Sequence, residues 1–312
     1  MTTWSSERPT LRLFNCADTT QCRRGRASAA GVEEPLESKC RHANRGLGSL
    51  LSHHVTRSLI KMLSPQRNAV TVAEGSDEIA AITARYERRG PHSQRYSMLS
   101  PSVYMAEQEK ERAYIRWITT CRLMPISEKR LLEIGCGYGG NVLQLLRLGF
   151  APNNIVANEL LEERAATARQ RLPAQVSVLV GDASQLDLPS ASFDIVLQST
   201  TFSSILDKCF QERLAARLWS LIRPGGGFLW YDFIYDNPWN PDVRGVSLHR
   251  IRELFPDADM TYWPITLAPP ISRLVTRIHP ELYRWFAAVR FLRTHVLCWI
   301  RRTNSTPRDA GR

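Results

Sequence analysis

The residues with the clearest chemical purpose are Leu131-Leu132-Glu133-Ile134-Gly135-Cys136-Gly137-Tyr138-Gly139-Gly140, an apolar run that passes into a glycine-rich turn. Glycine is needed where the backbone turns tightly and a ligand must lie against it with no Cβ in the way. Gly135, Gly137 and Gly140 also satisfy the dinucleotide fingerprint, so the loop alone admits more than one nucleotide-like ligand. Glu133 separates them. It sits two residues before the first glycine, at the end of a buried strand, where an ionised carboxylate costs several kcal/mol unless a cation or a water network compensates. A cationic ligand offsets that cost, whereas a pyrophosphate drawn to a helix N-terminus favours no acid there.

Further along, Glu159 stands twenty residues beyond Gly139, the distance at which an acid accepts both hydroxyls of a ribose in either kind of site. Gly181-Asp182-Ala183 closes a third strand, and Ser192-Phe193-Asp194 opens a fourth, putting another acid where an adenine amino group is read. Each acid has a plainer reading. Glu159 is then a solvated strand end, Asp182 an ordinary turn carboxylate, and Asp194 a strand-opening cap on neighbouring amides, which outweighs ligand binding for that residue. Cys136 carries no catalytic inference, since the turn simply needs a small residue.

The elements that must position these groups alternate. Strands are expected at 130–134, 155–158, 176–180, 194–198 and 228–233, with helices at 139–148, 162–171 and 208–222. That alternation argues for an α/β, doubly wound, mostly parallel sheet with helices on both faces. A helix at 104–118 leads into it behind a charged 107–112 face, and Pro224-Gly225-Gly226-Gly227 reads as a stop before the fifth strand. Beyond come a short helix at 247–254, a strand at 260–267, a Pro269-Pro270 break, apolar-basic helical residues to about 290, and a last strand at 294–300.

Composition sets the limits. The chain has 312 residues, 43% hydrophobic and 23% charged, enough to bury a core. Residues 1–61 are different: eleven Leu, Ile, Val and Phe in all, with ten basic against five acidic residues, a composition that does not offset chain entropy by burial. Residues 1–75 are therefore read as a disordered extension or a mis-called start, with Met62 as a natural beginning, and 303–312 as a disordered tail. The C-terminal segment 271–312 carries nine basic against two acidic residues, leaving the middle nearly neutral. A neutral body with basic ends is not a nucleic-acid-binding core, and no nucleic acid is expected. Seven cysteines without a CxxC pair read as reduced thiols of a cytoplasmic protein, and no metal site is assigned.

Taken together, the residues resemble the class I S-adenosylmethionine-dependent methyltransferases, closest to the bacterial group with a GDAxxLP segment followed by SFD. The resemblance covers roughly 76–302 and rests on Glu133 to Gly139, Glu159, Gly181-Asp182-Ala183 with Leu188-Pro189, Phe193-Asp194 and Pro224-Gly225-Gly226 in order. It implies a Rossmann-like fold of seven strands with a helical insertion before the last, an N-terminal helical lid at 76–125, and a cofactor domain at 126–302 with the insertion at 271–293. S-adenosylmethionine is the implied cofactor. Gly135, Cys136, Gly137 and Gly139 then form the loop under its methionyl part and ribose, and Glu133 reaches the ammonium. Glu159 holds the ribose hydroxyls, Leu160 packs on adenine, Asp182 with the Ala183 amide reads the adenine edge, and Gln198 lines the methionine side. Glu for the commoner Asp at 133 and 159, and Asn158 in a position usually apolar, depart from the pattern.

The implied activity is methyl transfer to a small-molecule, glycan or glycolipid-type acceptor, at oxygen; C-methylation of a quinone- or lipid-like ring, or cofactor binding without catalysis, are the alternatives. A dehydrogenase is disfavoured by Glu133. Candidate general bases beyond the strand ends are Asp232, Asp236 and His249, with Asp232 first. The aromatic and polar stretch 230–241 suits a sugar, or is merely an aromatic strand and a turn. The hydroxyls of 200–204 orient an acceptor or, more simply, cap the next helix. Tyr96, Tyr104 and Gln108 are lid candidates. In the insertion, Leu282, Trp285, Phe286 and Val289 share a helical face beside Arg284 and Arg290. A lid on the acceptor cleft, favoured by the returning strand at 294–300, and peripheral membrane contact through 280–293 both explain it.

Overall fold

The computed structural model describes residues 73–88, 97–237 and 240–303. The expected extension up to residue 72, Tyr96, Pro238, Trp239 and the tail beyond Thr303 lie outside them. Strands β1 (Leu131–Ile134), β2 (Ile155–Glu159), β3 (Ser177–Val180), β4 (Phe193–Ser199), β5 (Ile222–Phe233), β6 (Asp259–Leu267) and β7 (Arg293–Arg301) form one sheet. Its order is β3-β2-β1-β4-β5-β7-β6. The first five run parallel, and β7 enters between β5 and β6 antiparallel to both. The order reverses between β1 and β4, the kind of switch point at which open α/β sheets take their ligands.

Eight helices are described: α1 (Ala73–Arg88), α2 (Pro101–Thr120), α3 (Gly140–Arg147), α4 (Glu162–Arg171), α5 (Lys208–Leu221), α6 (Leu248–Leu254), α7 (Pro269–Ile278) and α8 (Leu282–Ala288). Strand alternation sorts them into two layers. Leu131, Leu197, Leu229 and Trp299 meet Tyr114 and Trp117 of α2, Val142 of α3 and Ala168 of α4. Leu132, Ile134, Phe228 and Trp230 meet Ile82 of α1, Phe210, Leu214 and Leu218 of α5, and Ile251 of α6. Covered on both sides, all four residues of β1 are buried, as parallel strands require. Truncating Trp117 or Trp230, both fully buried, would cost about 3–5 kcal/mol.

Local chemistry starts and stops the helices. Pro101 opens α2, and Glu162 and Glu163 in the first turn of α4 with Arg169 and Arg171 in its last complement the helix dipole. Asp207 caps α5 by accepting the Phe210 amide. The Pro224 to Gly227 segment is not a stop. β5 already pairs at Ile222 with Phe193, bulges, and resumes at Gly227 opposite Ile195. Gly227 is required because a Cβ there would lie 2.6 Å from the Trp299 ring. Pro264 sits in β6, an edge strand, where a missing amide is tolerated.

Candidate active site

Leaving β1, the chain turns through Gly135, Gly137 and Gly139 at φ of +63°, +57° and +81°. A Cβ at Gly135 would run into the Thr201 side chain, whereas at Gly137 it would meet nothing within 4 Å. Gly139 is the N-cap of α3, and the Cys136 amide donates to the Asn158 carbonyl at 2.9 Å, tying the loop to β2. Burial raises the pKa of the Cys136 thiol, so it is an inert small side chain.

Glu133 points from β1 into the α2 and α3 layer and is fully buried. Its Oε1 accepts from Asn141 Nδ2 at 2.7 Å. Its Oε2 has no partner. Burial pushes its pKa up to about 7, against the Asn141 hydrogen bond and the nearby Lys110 charge. An unpartnered carboxylate oxygen beside a glycine cradle is what a ligand ammonium would satisfy, so these residues fit a cationic amino-acid moiety and not a pyrophosphate. Lys110, buried on α2, donates to Asn141 Oδ1 at 2.9 Å and pairs with Glu107 Oε2 at 2.7 Å, and Glu107 also accepts from Gln144 Nε2 at 2.7 Å. The sequence placed 107–112 on a charged face. Yet Glu107, Lys110, Tyr114 and Trp117 lie at helical spacing on one stripe, and that signal was available.

At the end of β2, Glu159 is buried and closes the loop from behind: Oε2 accepts the Gly137 amide at 2.7 Å and Oε1 the Leu161 amide at 3.1 Å. Each oxygen keeps a second lone pair. Asn158 explains its own polarity by donating from Nδ2 to the Gly181 carbonyl at 3.0 Å, which fixes the turn carrying Asp182 and Ala183. Asp182 accepts from the Ser184 amide at 2.8 Å and the Ser184 hydroxyl at 2.6 Å. Leu160 and Ala183 are half-buried against the same apolar layer. Over this side, the Arg164 guanidinium lies 4.4 Å from the Tyr86 ring of α1 and 5.5 Å from the Tyr138 ring of the loop. Tyr86 also reaches the Ser204 hydroxyl at 3.0 Å. α1 thereby bridges the ends of β2 and β4. α2, by contrast, is core, and the lid candidate Tyr104 is 48% exposed.

Two expected site residues take other roles. Gln198 is fully buried, accepts the Thr201 and Phe202 amides at 2.9 and 3.4 Å, and donates to the Tyr231 carbonyl at 3.3 Å. Asp232 is also fully buried. Its Oδ2 accepts the Ser203 amide at 3.1 Å and its Oδ1 the Phe233 amide at 2.9 Å, and burial pushes its pKa up to about 7 despite these bonds. Strand alternation turns it under the 200–204 turn and gives the α2 side to Tyr231. Both residues fasten the loop after β4 rather than face an open cleft.

The rest of the expected acceptor side divides similarly. Trp230 belongs to the core, 4.5 Å from Phe202 between ring centroids, which removes it from a sugar platform. Asp236 accepts the Gly245 amide at 2.8 Å, and His249 is exposed beside Glu253 at 3.2 Å. Asp194 sits at the opposite end of the sheet, holding the Arg130 amide at 2.9 Å and pairing with Arg223. Near the end of β5, Tyr231 stacks on His295 of β7 at 5.2 Å, its hydroxyl 2.9 Å from Thr266, with Lys110 Nζ 5.4 Å from its ring. Burial, with Lys110, pushes His295 down to about 4, leaving a neutral ring. No sequence pattern signals this cluster, because four distant segments meet in it.

Residues 131–226 match the family described as Methyltransferase domain. Over 187 residues the chain is 28% identical to the phthiotriol/phenolphthiotriol dimycocerosates methyltransferase of Mycobacterium tuberculosis, covering 57% of this chain and 64% of that protein. It is 29% identical over 170 residues to the fatty-acid O-methyltransferase of Mycolicibacterium smegmatis, covering 53% of this chain and 61% of that one. The matched part thus spans less than two thirds of either relative. A solved structure of a putative sarcosine dimethylglycine methyltransferase from Galdieria sulphuraria is similar with a TM-score of 0.49 and 14% identity, over 74% of this chain and 100% of that one. Residues 131–226 thus form a methyltransferase domain, for which S-adenosylmethionine is the implied cofactor.

Proposed function

We propose that the protein transfers a methyl group from S-adenosylmethionine to a hydroxyl of a small lipid-like or glycolipid acceptor. The observation that carries the reading is the buried, unpartnered Oε2 of Glu133 at the mouth of the glycine loop. It would accept the cofactor's ammonium, Glu159 the ribose hydroxyls, and Asp182 with the Ala183 amide the adenine edge, with Leu160 beneath the ring and α1 across the top. Bound there, the cofactor supplies a methyl group already activated on a sulfonium.

What remains for the chain is positioning, worth up to ~7–11 kcal/mol for aligned reactants. The acceptor would lie beyond the ends of β4 and β5, where Tyr231, His295 and Lys110 gather. A neutral His295 beside a lysine is a weak base, so orientation and exclusion of water are the contributions this cluster can make. The lipid character of the acceptor is supported by the relatives, one acting on phthiotriol dimycocerosates and one on fatty acids. The test is incubation with S-adenosylmethionine labelled in the methyl group and a set of long-chain hydroxylated acceptors. Label extracted into the organic phase as an ether supports the reading. Label on carbon, or saturable cofactor binding with no transfer to any acceptor, would replace it.

A further inference from the structure

The insertion between β6 and β7 fastens one side of itself and leaves the other bare. Val275 of α7 and Tyr283 and Ala287 of α8 pack with Met105 and Leu267. The Tyr283 hydroxyl donates to Glu109 Oε2 at 2.6 Å and accepts the Leu267 amide at 3.2 Å, pinning the segment to α2 and β6. Turned away from that cluster are Leu274, Ile278, Trp285, Phe286 and Phe291, exposed by 64, 75, 75, 40 and 81%. The lid expected from the sequence needed Trp285 and Phe286 turned inward; the helix instead buries Tyr283 and Ala287. Grouped exposed apolar residues mark an interaction surface.

Charge identifies the occupant. Arg273, Arg277, Arg284 and Arg290 are all exposed among these side chains, and the only acid in 269–292 is Glu281, 3.5 Å from Arg284. On α7, Arg273 and Arg277 repeat at the same four-residue spacing as Leu274 and Ile278, so both pairs project together. A second copy of the chain would set this basic face against itself. Aromatic rings with interleaved arginines suit the headgroup layer of an anionic bilayer, rings at the acyl boundary and guanidinium groups on phosphates. We propose that residues 269–292 dock the protein on an anionic lipid surface, a role that stands independently of the acceptor assigned above.

The experiment is sedimentation of the full chain with vesicles of phosphatidylcholine alone and of phosphatidylcholine with phosphatidylglycerol. Binding to the anionic vesicles only, weakening as salt rises, is expected. Trp285→Ser with Phe291→Ser should lower the partition coefficient roughly tenfold or more. Arg273→Gln with Arg277→Gln should lower it about twenty-fivefold, at roughly fivefold for each basic residue. Affinity for S-adenosylmethionine, measured on the same variants, should stay at the wild-type value and so report an intact fold. Absence of binding to the anionic vesicles overturns the proposal. So does equal binding by wild type and both variants, which would assign it to other basic segments, or a concentration-dependent dimer that these substitutions abolish.

Discussion

Acidification should weaken the binding of S-adenosylmethionine through a single carboxylate, Glu133. Burial lifts its pKa to about 7, above the ordinary 4.5, and an arriving ammonium binds only the ionised form. The free protein must therefore release a proton to bind below pH 7, and the apparent dissociation constant scales with the inverse of the ionised fraction. For a pKa of about 7, that makes affinity about eightfold weaker at pH 6.0 than at pH 7.5, with roughly half a proton released at pH 7. Calorimetry in two buffers of different ionisation enthalpy reads both quantities. Glu133→Gln keeps the shape and the Asn141 contact but removes the titration, so its profile should lose this component, with binding weaker by about 1.5–3 kcal/mol for the lost charged hydrogen bond. Asp232, with a similarly raised pKa, lies on the other face of the sheet and serves as a built-in control. A wild-type affinity independent of pH, or the same slope in Glu133→Gln, would refute the reasoning.

Other substitutions separate positioning from chemistry. Asp232→Ala strands the Ser203 and Phe233 amides, so unfolding free energy should fall by about 2–5 kcal/mol while turnover at saturation drops less than tenfold; denaturant melts and rates on one preparation check this. Because burial raises the Asp232 pKa from 3.8 to about 7, the folded state holds this proton more tightly, and its contribution to stability declines as pH rises across that window; in Asp232→Ala that component should be lost, leaving the smaller decline due to Glu133. Gly135→Ala meets both a left-handed φ and Thr201, whereas Gly137→Ala meets only the φ; thermal melting should show the first clearly worse than the second, which should lose about 1–2 kcal/mol. Glu109→Ala frees Tyr283 and the Thr266 amide; trypsin should then cut the insertion faster with cofactor affinity unchanged.

Much of the framework was legible because it depends on local rules. Short apolar runs alternating with helical stretches, the glycine turn after β1 and the acids at strand ends are near-neighbour features, and the sheet and the Glu133, Glu159 and Asp182 positions follow from them. What escaped depends on facing. Asp232 sits at the right strand end but on the wrong side, and one residue of alternation decides that. A charged face such as 107–112 ordinarily meets solvent, although the spacing of Glu107 and Lys110 from Tyr114 and Trp117 puts both inward. The exposed side of α8 was unreadable, since Leu282, Trp285 and Phe286 look like a buried stripe until Tyr283 finds Glu109, 174 residues away in sequence. Asn158, odd as a strand residue, became intelligible only with the Gly181 carbonyl beside it.

The central claim, that the cradle after β1 takes a sulfonium nucleotide with a free ammonium, meets its most direct test in calorimetric titration of the protein with S-adenosylmethionine and, separately, with NADH at pH 7.5. One saturable site for S-adenosylmethionine, lost or much weakened in Glu133→Gln and in Glu159→Ala while both variants melt cooperatively, is the predicted result. Saturable binding of NADH with none of S-adenosylmethionine, or S-adenosylmethionine affinity untouched by either substitution, would contradict it.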